Sequence, residues 1–146
     1  MNQYQLHISR RNLKRLYEHA EMLLPQEAVA LLFGTTTGAS VYANRVELME
    51  NTSTNFLTSF SVNPEAEYIL LIDAEKRGES LVGIFHSHPA PPKPSLTDMK
   101  NMRLNPVIWL IASKLTGSWI IKGYVLDADD VAEVVIHVVE LDDAVP

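Results

Sequence analysis

His86-Ser87-His88-Pro89-Ala90-Pro91-Pro92-Lys93-Pro94-Ser95-Leu96-Thr97-Asp98 joins the end of one element to the start of the next. Leu81 to His88 alternates like a strand, so His86 and His88 project from one face and Ser87 from the other. Two adjacent imidazoles repel when both are protonated, and sharing a cation removes the conflict. Four prolines then stiffen the connection, and Ser95 opens a short helix with Asp98 three residues on, a capping-box arrangement. That turn brings a carboxylate back towards the histidines. Two imidazoles and one carboxylate leave the fourth position of a zinc ion open, the pattern of a catalytic rather than a structural site. Taken singly, a His-x-His pair is usually surface decoration and Ser-x-x-Asp usually only a cap; the two in this order favour a metal.

Outward from this segment the chain reads as alternating strands and helices. Towards the N-terminus, Tyr4 to Ile8 is a strand, and Ser9 caps a helix whose apolar face carries Leu13, Leu16, Tyr17, Ala20, Leu23 and Leu24 until Pro25 stops it. Arg10, Arg11, Lys14 and Arg15 form its solvated face. Glu27 to Phe33 and Ser40 to Met49 are strands joined by a turn from Gly34 to Gly38. That turn is no phosphate loop, because neither Gly-Lys-Ser/Thr nor a helix follows it. After a polar stretch over 50–58, Ser59 to Val62 is expected to be a strand. Asn63 caps a second helix, with Pro64 in its first position, acids at its start, Lys76 and Arg77 at its end and Gly78 as its stop. Val107 to Lys114, Trp119 to Leu126 and Val131 to Val139 complete the strands. The predicted fold is α+β: a mixed β-sheet with three helices, lacking the βαβ alternation of a doubly wound fold. With no linker or repeat, residues 1–146 are expected to form one domain.

Composition narrows the chemistry. There is no cysteine, so a cysteine nucleophile, a thiolate zinc site and a disulfide are excluded. A net charge of −6 argues against nucleic acid as a partner. The first residues, MNQYQLHISRR, lack the apolar core of a signal peptide, and the longest apolar run, Val107 to Ala112, is too short to span a bilayer. A cytoplasmic protein without a membrane partner is expected. His7, His19 and His137 have no ligand-spaced neighbour, and Trp109 and Trp119 read as core residues.

The motif resembles that of the JAMM (MPN+) metalloproteases: a distant Glu, then His-Ser/Thr-His-Pro, then Ser-x-x-Asp. Here these are Glu27, His86-Ser87-His88-Pro89 and Ser95-Leu96-Thr97-Asp98. The likeness extends over most of the chain and is closest to the compact archaeal and bacterial members. It implies the MPN (JAB/cytidine-deaminase-like) fold, Zn2+ held by His86, His88 and Asp98, and catalysis by Glu27 and Ser95. Glu27 is singled out by the resemblance alone. There it would serve as general acid and base, and Ser95 would donate to the oxyanion. Two positions depart from the family pattern. The loop from His88 to Ser95 is one residue short, and Ala30 stands where many relatives have Gly. The methyl group of Ala30 is expected to tighten packing near the site.

The activity implied is hydrolysis of the peptide or isopeptide bond after the Gly-Gly tail of a ubiquitin-like modifier. Alternatives are a peptidase trimming a small adduct or C-terminal extension from a sulfur-carrier protein, and a non-catalytic MPN scaffold. The expected partner is the modifier or its conjugates, with a homodimer allowed for. Asn51 to Val62 is the expected flap over the incoming tail, competing with a plain surface loop whose Phe56 and Phe60 pack on the core.

Overall fold

The computed structural model of the chain describes residues 3–140; residues 1, 2 and 141–146, the ends of the expected 1–146 domain, lie outside the described residues. Seven strands and three helices follow one another as β1 (Gln5–Ser9), α1 (Arg10–Leu23), β2 (Val29–Thr37), β3 (Ser40–Met49), α2 (Pro64–Lys76), β4 (Ser80–Ser87), α3 (Leu96–Leu104), β5 (Ile108–Ser113), β6 (Ile120–Asp127) and β7 (Asp130–Val139). This is the α+β class with a mixed sheet. One feature differs from the sequence reading: the sheet closes into a barrel in the order β1-β3-β2-β4-β5-β6-β7. Closure falls to β1, which pairs in parallel with both β3 and β7. No hydrophobic pattern reports this, because closure depends on which two strands flank a third and not on the period of any one of them.

The central strands are buried on both faces, which is why their sequences are nearly continuous apolar runs. Along β2, Ala30 and Leu32 face one core with Phe85, Leu110 and the α1 residues Leu16 and Ala20. Val29, Leu31 and Phe33 face the second core with Ile84, Trp109, Ile111, Ala74 of α2 and Met102 of α3. Ala30 therefore points away from the face that carries His86, and its methyl group packs in the α1-side core rather than beside the site.

Two local readings change. The segment from Gly34 to Thr37 is strand, and only Gly38 and Ala39 turn, with Gly38 at φ +62°. Gly34 sits at a register shift opposite β3, where an added Cβ would lie 1.7 Å from the Tyr42 carbonyl oxygen. Ser59 to Val62 forms no strand. Its place is taken by a loop closed on itself, because Asn51 captures polar groups that a ladder would otherwise need. The helix caps agree with the sequence: Ser9 accepts from the Asn12 N–H and Asn63 from those of Glu65 and Ala66. Among the described residues no helix is long and apolar enough to cross a membrane.

Candidate active site

The C-terminal end of β4 carries the motif. Antiparallel β2 lies on one side, pairing Val29 with His86, and parallel β5 on the other, pairing His86 with Ile111. Ser87 turns to the opposite face, where its Oγ accepts the Ala28 N–H at 2.7 Å. Its own N–H donates to the Ala28 carbonyl and the His88 N–H to that of Ala112. These three bonds fix the strand end and hold Glu27, just upstream, beside it. The serine between the two histidines is thus a staple, a role that its alternation away from the site alone does not disclose.

His86 is fully buried, with Phe60 stacked on its ring at 4.8 Å and the edges of Trp109 and His88 at 5.9 and 5.5 Å. Its Nδ1 faces two acceptors at 3.2 Å, the Ser87 carbonyl and Glu27 Oε1, so Nδ1 carries the proton. In the neutral ring, Nε2 then presents a lone pair 3.4 Å from Asp98 Oδ1, and His88 Nε2 lies 3.6 Å from Oδ2. Asp98 is held by the expected capping box: Oδ2 accepts the Ser95 N–H at 2.9 Å, and Ser95 Oγ accepts the Asp98 N–H at 3.0 Å. The loop one residue short still delivers this carboxylate, pinned by a 2.7 Å bond from the Tyr124 hydroxyl to the Pro92 carbonyl.

Burial alone would push the His86 ring down, but Asp98 and Glu27 outweigh it and raise its pKa from 6.5 to about 9. For Asp98, burial acts upwards and is overcome by His86 and by the Ser95 N–H, leaving the carboxyl below its ordinary 3.8. Both shifts report one cause, a buried cluster richer in electron pairs than in positive charge. Glu27 Oε2, His86 Nε2 and His88 Nδ1 are buried without a hydrogen-bond partner. Such a donor set fits a divalent cation. Ligand atoms around tetrahedral zinc stand about 3.3–3.5 Å apart, given bonds of ~2.0–2.2 Å. The His86–Asp98 spacing matches this and the His88–Asp98 spacing is slightly longer. The fit is one of chemistry more than of finished geometry. Among the described residues no three His, Asp or Glu side chains form a ready metal cage, because Asp98 turns one oxygen to each histidine.

Two residues escape a sequence reading. Asn51 uses all four of its side-chain hydrogen-bonding positions: Nδ2 donates to the carbonyls of Glu27 and Ser59, and Oδ1 accepts from the N–H groups of Ser53 and Ser61. With the Glu27 N–H donating to Phe56 O at 2.7 Å, it ties the 51–61 loop to the backbone of Glu27 and sets Phe60 over His86. An Asn two residues past the end of β3 was the available signal, but it reads equally well as a turn residue. Phe60 follows the core reading, whereas Phe56 is 42% exposed. The second is Trp119, which is only half-buried and lines a cavity that also contains Glu27 and His88. His19, by contrast, is structural, its Nε2 lying between the carbonyls of Val29 and Met49. His7 stacks between Tyr42 and His137, far in sequence from the motif.

Comparison with known proteins places the chain in a family. Residues 9–122 match the family model described as prokaryotic homologs of the JAB domain. The chain belongs to that family, as a compact prokaryotic member of the JAMM/MPN proteins. Over 61 residues it is 44% identical to a desampylase of Pyrococcus furiosus, a match covering 41% of this chain and 44% of that protein. The chain thus spans less than half of that curated relative in the match. A solution structure of a protein from Desulfitobacterium hafniense is similar with a TM-score of 0.82, at 28% identity and over 94% of both chains. A protein from Salinibacter ruber shares the fold at a TM-score of 0.65 and 19% identity, over 97% of this chain and 95% of its own.

Proposed function

We propose that the protein is a zinc-dependent isopeptidase or peptidase cleaving the bond after the Gly-Gly tail of a ubiquitin-like modifier. The observation that carries this reading is the buried cluster in which His86 Nε2, without a hydrogen-bond partner, and His88 Nε2 each face one oxygen of Asp98. In this reading those three residues are the ligands. Zinc bound by them supplies an acidified water and an electrophile for the scissile carbonyl. Glu27 handles the proton. Its Oε1 is steadied by His86 Nδ1 and its Oε2 has no partner, so one oxygen is free to take a proton and pass it to the leaving amine. Ser95 spends a lone pair on its cap, leaving its own O–H to donate to a developing oxyanion.

In this reading the tail lies beside the 51–62 segment. A cavity of about 200 Å³ runs between Phe60, Ser61 and Val62 on one side and Asn101, Asn105 and Trp109 on the other. The Ser61 N–H is already given to Asn51, so this residue is not the donor that pairs with the tail. The desampylase likeness supports a modifier conjugate as substrate, and the family match over residues 9–122 supports the MPN fold. A cytoplasmic protein acting on protein conjugates, alone or as a homodimer, follows from the same reading.

Elemental analysis and intact mass of a modifier–lysine conjugate test it together. About one zinc per chain is expected, lost in His88→Ala, together with release of a modifier ending in Gly-Gly. A zinc-free wild-type chain that leaves the conjugate whole would instead identify a scaffold.

A further inference from the structure

A cavity of about 340 Å³, the low end of the range for small-ligand sites, is lined by Glu27 and not by Phe60. Its walls include Leu24, Pro25, Leu115 and Trp119, and it reaches Glu27 and His88. We infer that this cavity is the leaving-group subsite, shaped for the aliphatic stem of a lysine whose ε-nitrogen is the leaving amine, with Trp119 as its specificity-determining wall. The inference rests on the hydrolase reading above and deepens it.

Position comes first. The group that protonates the leaving amine must touch it, and Glu27 is the one proton carrier of the proposed reaction, so the leaving group lies in the space that Glu27 borders. In the step itself the acyl carbon–nitrogen bond breaks. The electron pair stays on nitrogen, Glu27 delivers the proton, and the water's oxygen remains on the acyl product.

What the walls offer then selects the leaving group. Ten residues line the cavity, and eight of them present no free backbone donor. The N–H groups of Leu24, Gln26, Glu27, Ser87, His88 and Leu115 all donate within the chain, and Pro25 and Pro89 have none. An extended main chain entering here would leave most of its carbonyls unpaired, at the cost of burying unsatisfied polar groups. A methylene stem asks for no hydrogen bonds. Trp119 is held for this use: its Nε1–H donates to Glu21 Oε1 at 3.2 Å, and the Lys114 ammonium, paired with the same carboxylate, lies 6.0 Å from the ring. The indole N–H, the Glu21 carboxylate and the Lys114 ammonium over the ring thus satisfy one another, and Trp119 and Lys114 line the cavity with these polar groups already engaged. Leu115, 63% exposed, and Leu24, 46% exposed, extend the apolar surface at the rim.

The test compares two small substrates, acetyl-Leu-Arg-Gly-Gly joined to the ε-amine or to the α-amine of lysine amide, on the zinc-loaded protein. Wild type is expected to favour the ε-linked substrate. In Trp119→Ala its KM should rise about ten-fold, with kcat little changed, and the preference should shrink towards unity. Trp119→Phe keeps an apolar ring and should retain most of it. Should Trp119→Ala fail to fold, Leu115→Glu, at an exposed position, should raise KM in the same selective way. A second arm needs no turnover: titration with Nα-acetyl-lysine methylamide, followed by amide and indole N–H chemical shifts, should perturb Leu115 and the Trp119 indole. A folded Trp119→Ala with unchanged ε/α preference, or shifts confined to the Phe60 side, would overturn the subsite. Cleavage of neither substrate by wild type would count against the hydrolase reading, while the shifts would still decide the subsite.

Discussion

At the residue scale the site is made by side chains that each do two jobs. Ser95 caps α3, its Oγ accepting the Asp98 N–H, and in the proposed reaction its hydroxyl also serves the oxyanion. Ser95→Ala should cost ~1 kcal/mol in thermal or denaturant unfolding as a lost cap. If the hydroxyl also serves the oxyanion, turnover should fall ~10²-fold with zinc still bound; a loss of stability with unchanged turnover would leave only the cap. His86 shows the same economy, its Nδ1 side fixed by Glu27 and Ser87 while Nε2 remains for a cation. The Ser95–Asp98 capping box and the return of Asp98 towards His86 and His88 were legible from their spacing. Glu27 was not, because its nearness to β4 arises from the β2–β4 pairing, which no local pattern encodes.

At the scale of elements, sequence and structure agree wherever a run is strongly patterned or capped. All three helices begin where Ser9, Asn63 and Ser95 announce them. They differ where a backbone contact decides the outcome. Gly34 reads as a turn residue, yet it lies within β2 because its missing side chain admits the Tyr42 carbonyl. Gly34→Ala should therefore destabilise severely, well beyond the ~1 kcal/mol of an ordinary Gly-to-Ala change in either direction; a melting temperature within a few degrees of wild type would show that β3 yields easily. The 51–62 segment fails as a strand for a related reason. One side chain, Asn51, satisfies the Ser59 carbonyl and the Ser61 N–H, and Thr52 pairs with Ser61. A loop with its own internal partners has no need of a neighbouring strand.

At the scale of the whole molecule the β2–β4 pairing and helix α3 bring Glu27, His86 and Asp98 to one buried, electron-rich point. There Asp98 and Glu27 raise the pKa of His86 from 6.5 to about 9. The stability this contributes is fully present below pH 6.5 and is lost as pH rises through about 9. The lowered Asp98 acts in the opposite sense, contributing above pH 3.8 and losing its share as acid protonates it. Zinc requires a neutral ring, so between these histidine limits its uptake should expel a proton. Calorimetric titration near pH 7.5 in buffers of different ionisation enthalpy should show that release, and heats independent of buffer would contradict it. The central claim is that Glu27 moves the proton for a metal-dependent hydrolysis at this point. Glu27→Gln preserves size and hydrogen bonding but removes the base. Rates on a modifier–lysine conjugate, followed by intact mass with zinc content measured in the same samples, test this most directly. A fall of ~10²-fold or more with one zinc still bound is the predicted result; near-normal cleavage by a zinc-loaded Glu27→Gln protein would contradict the account.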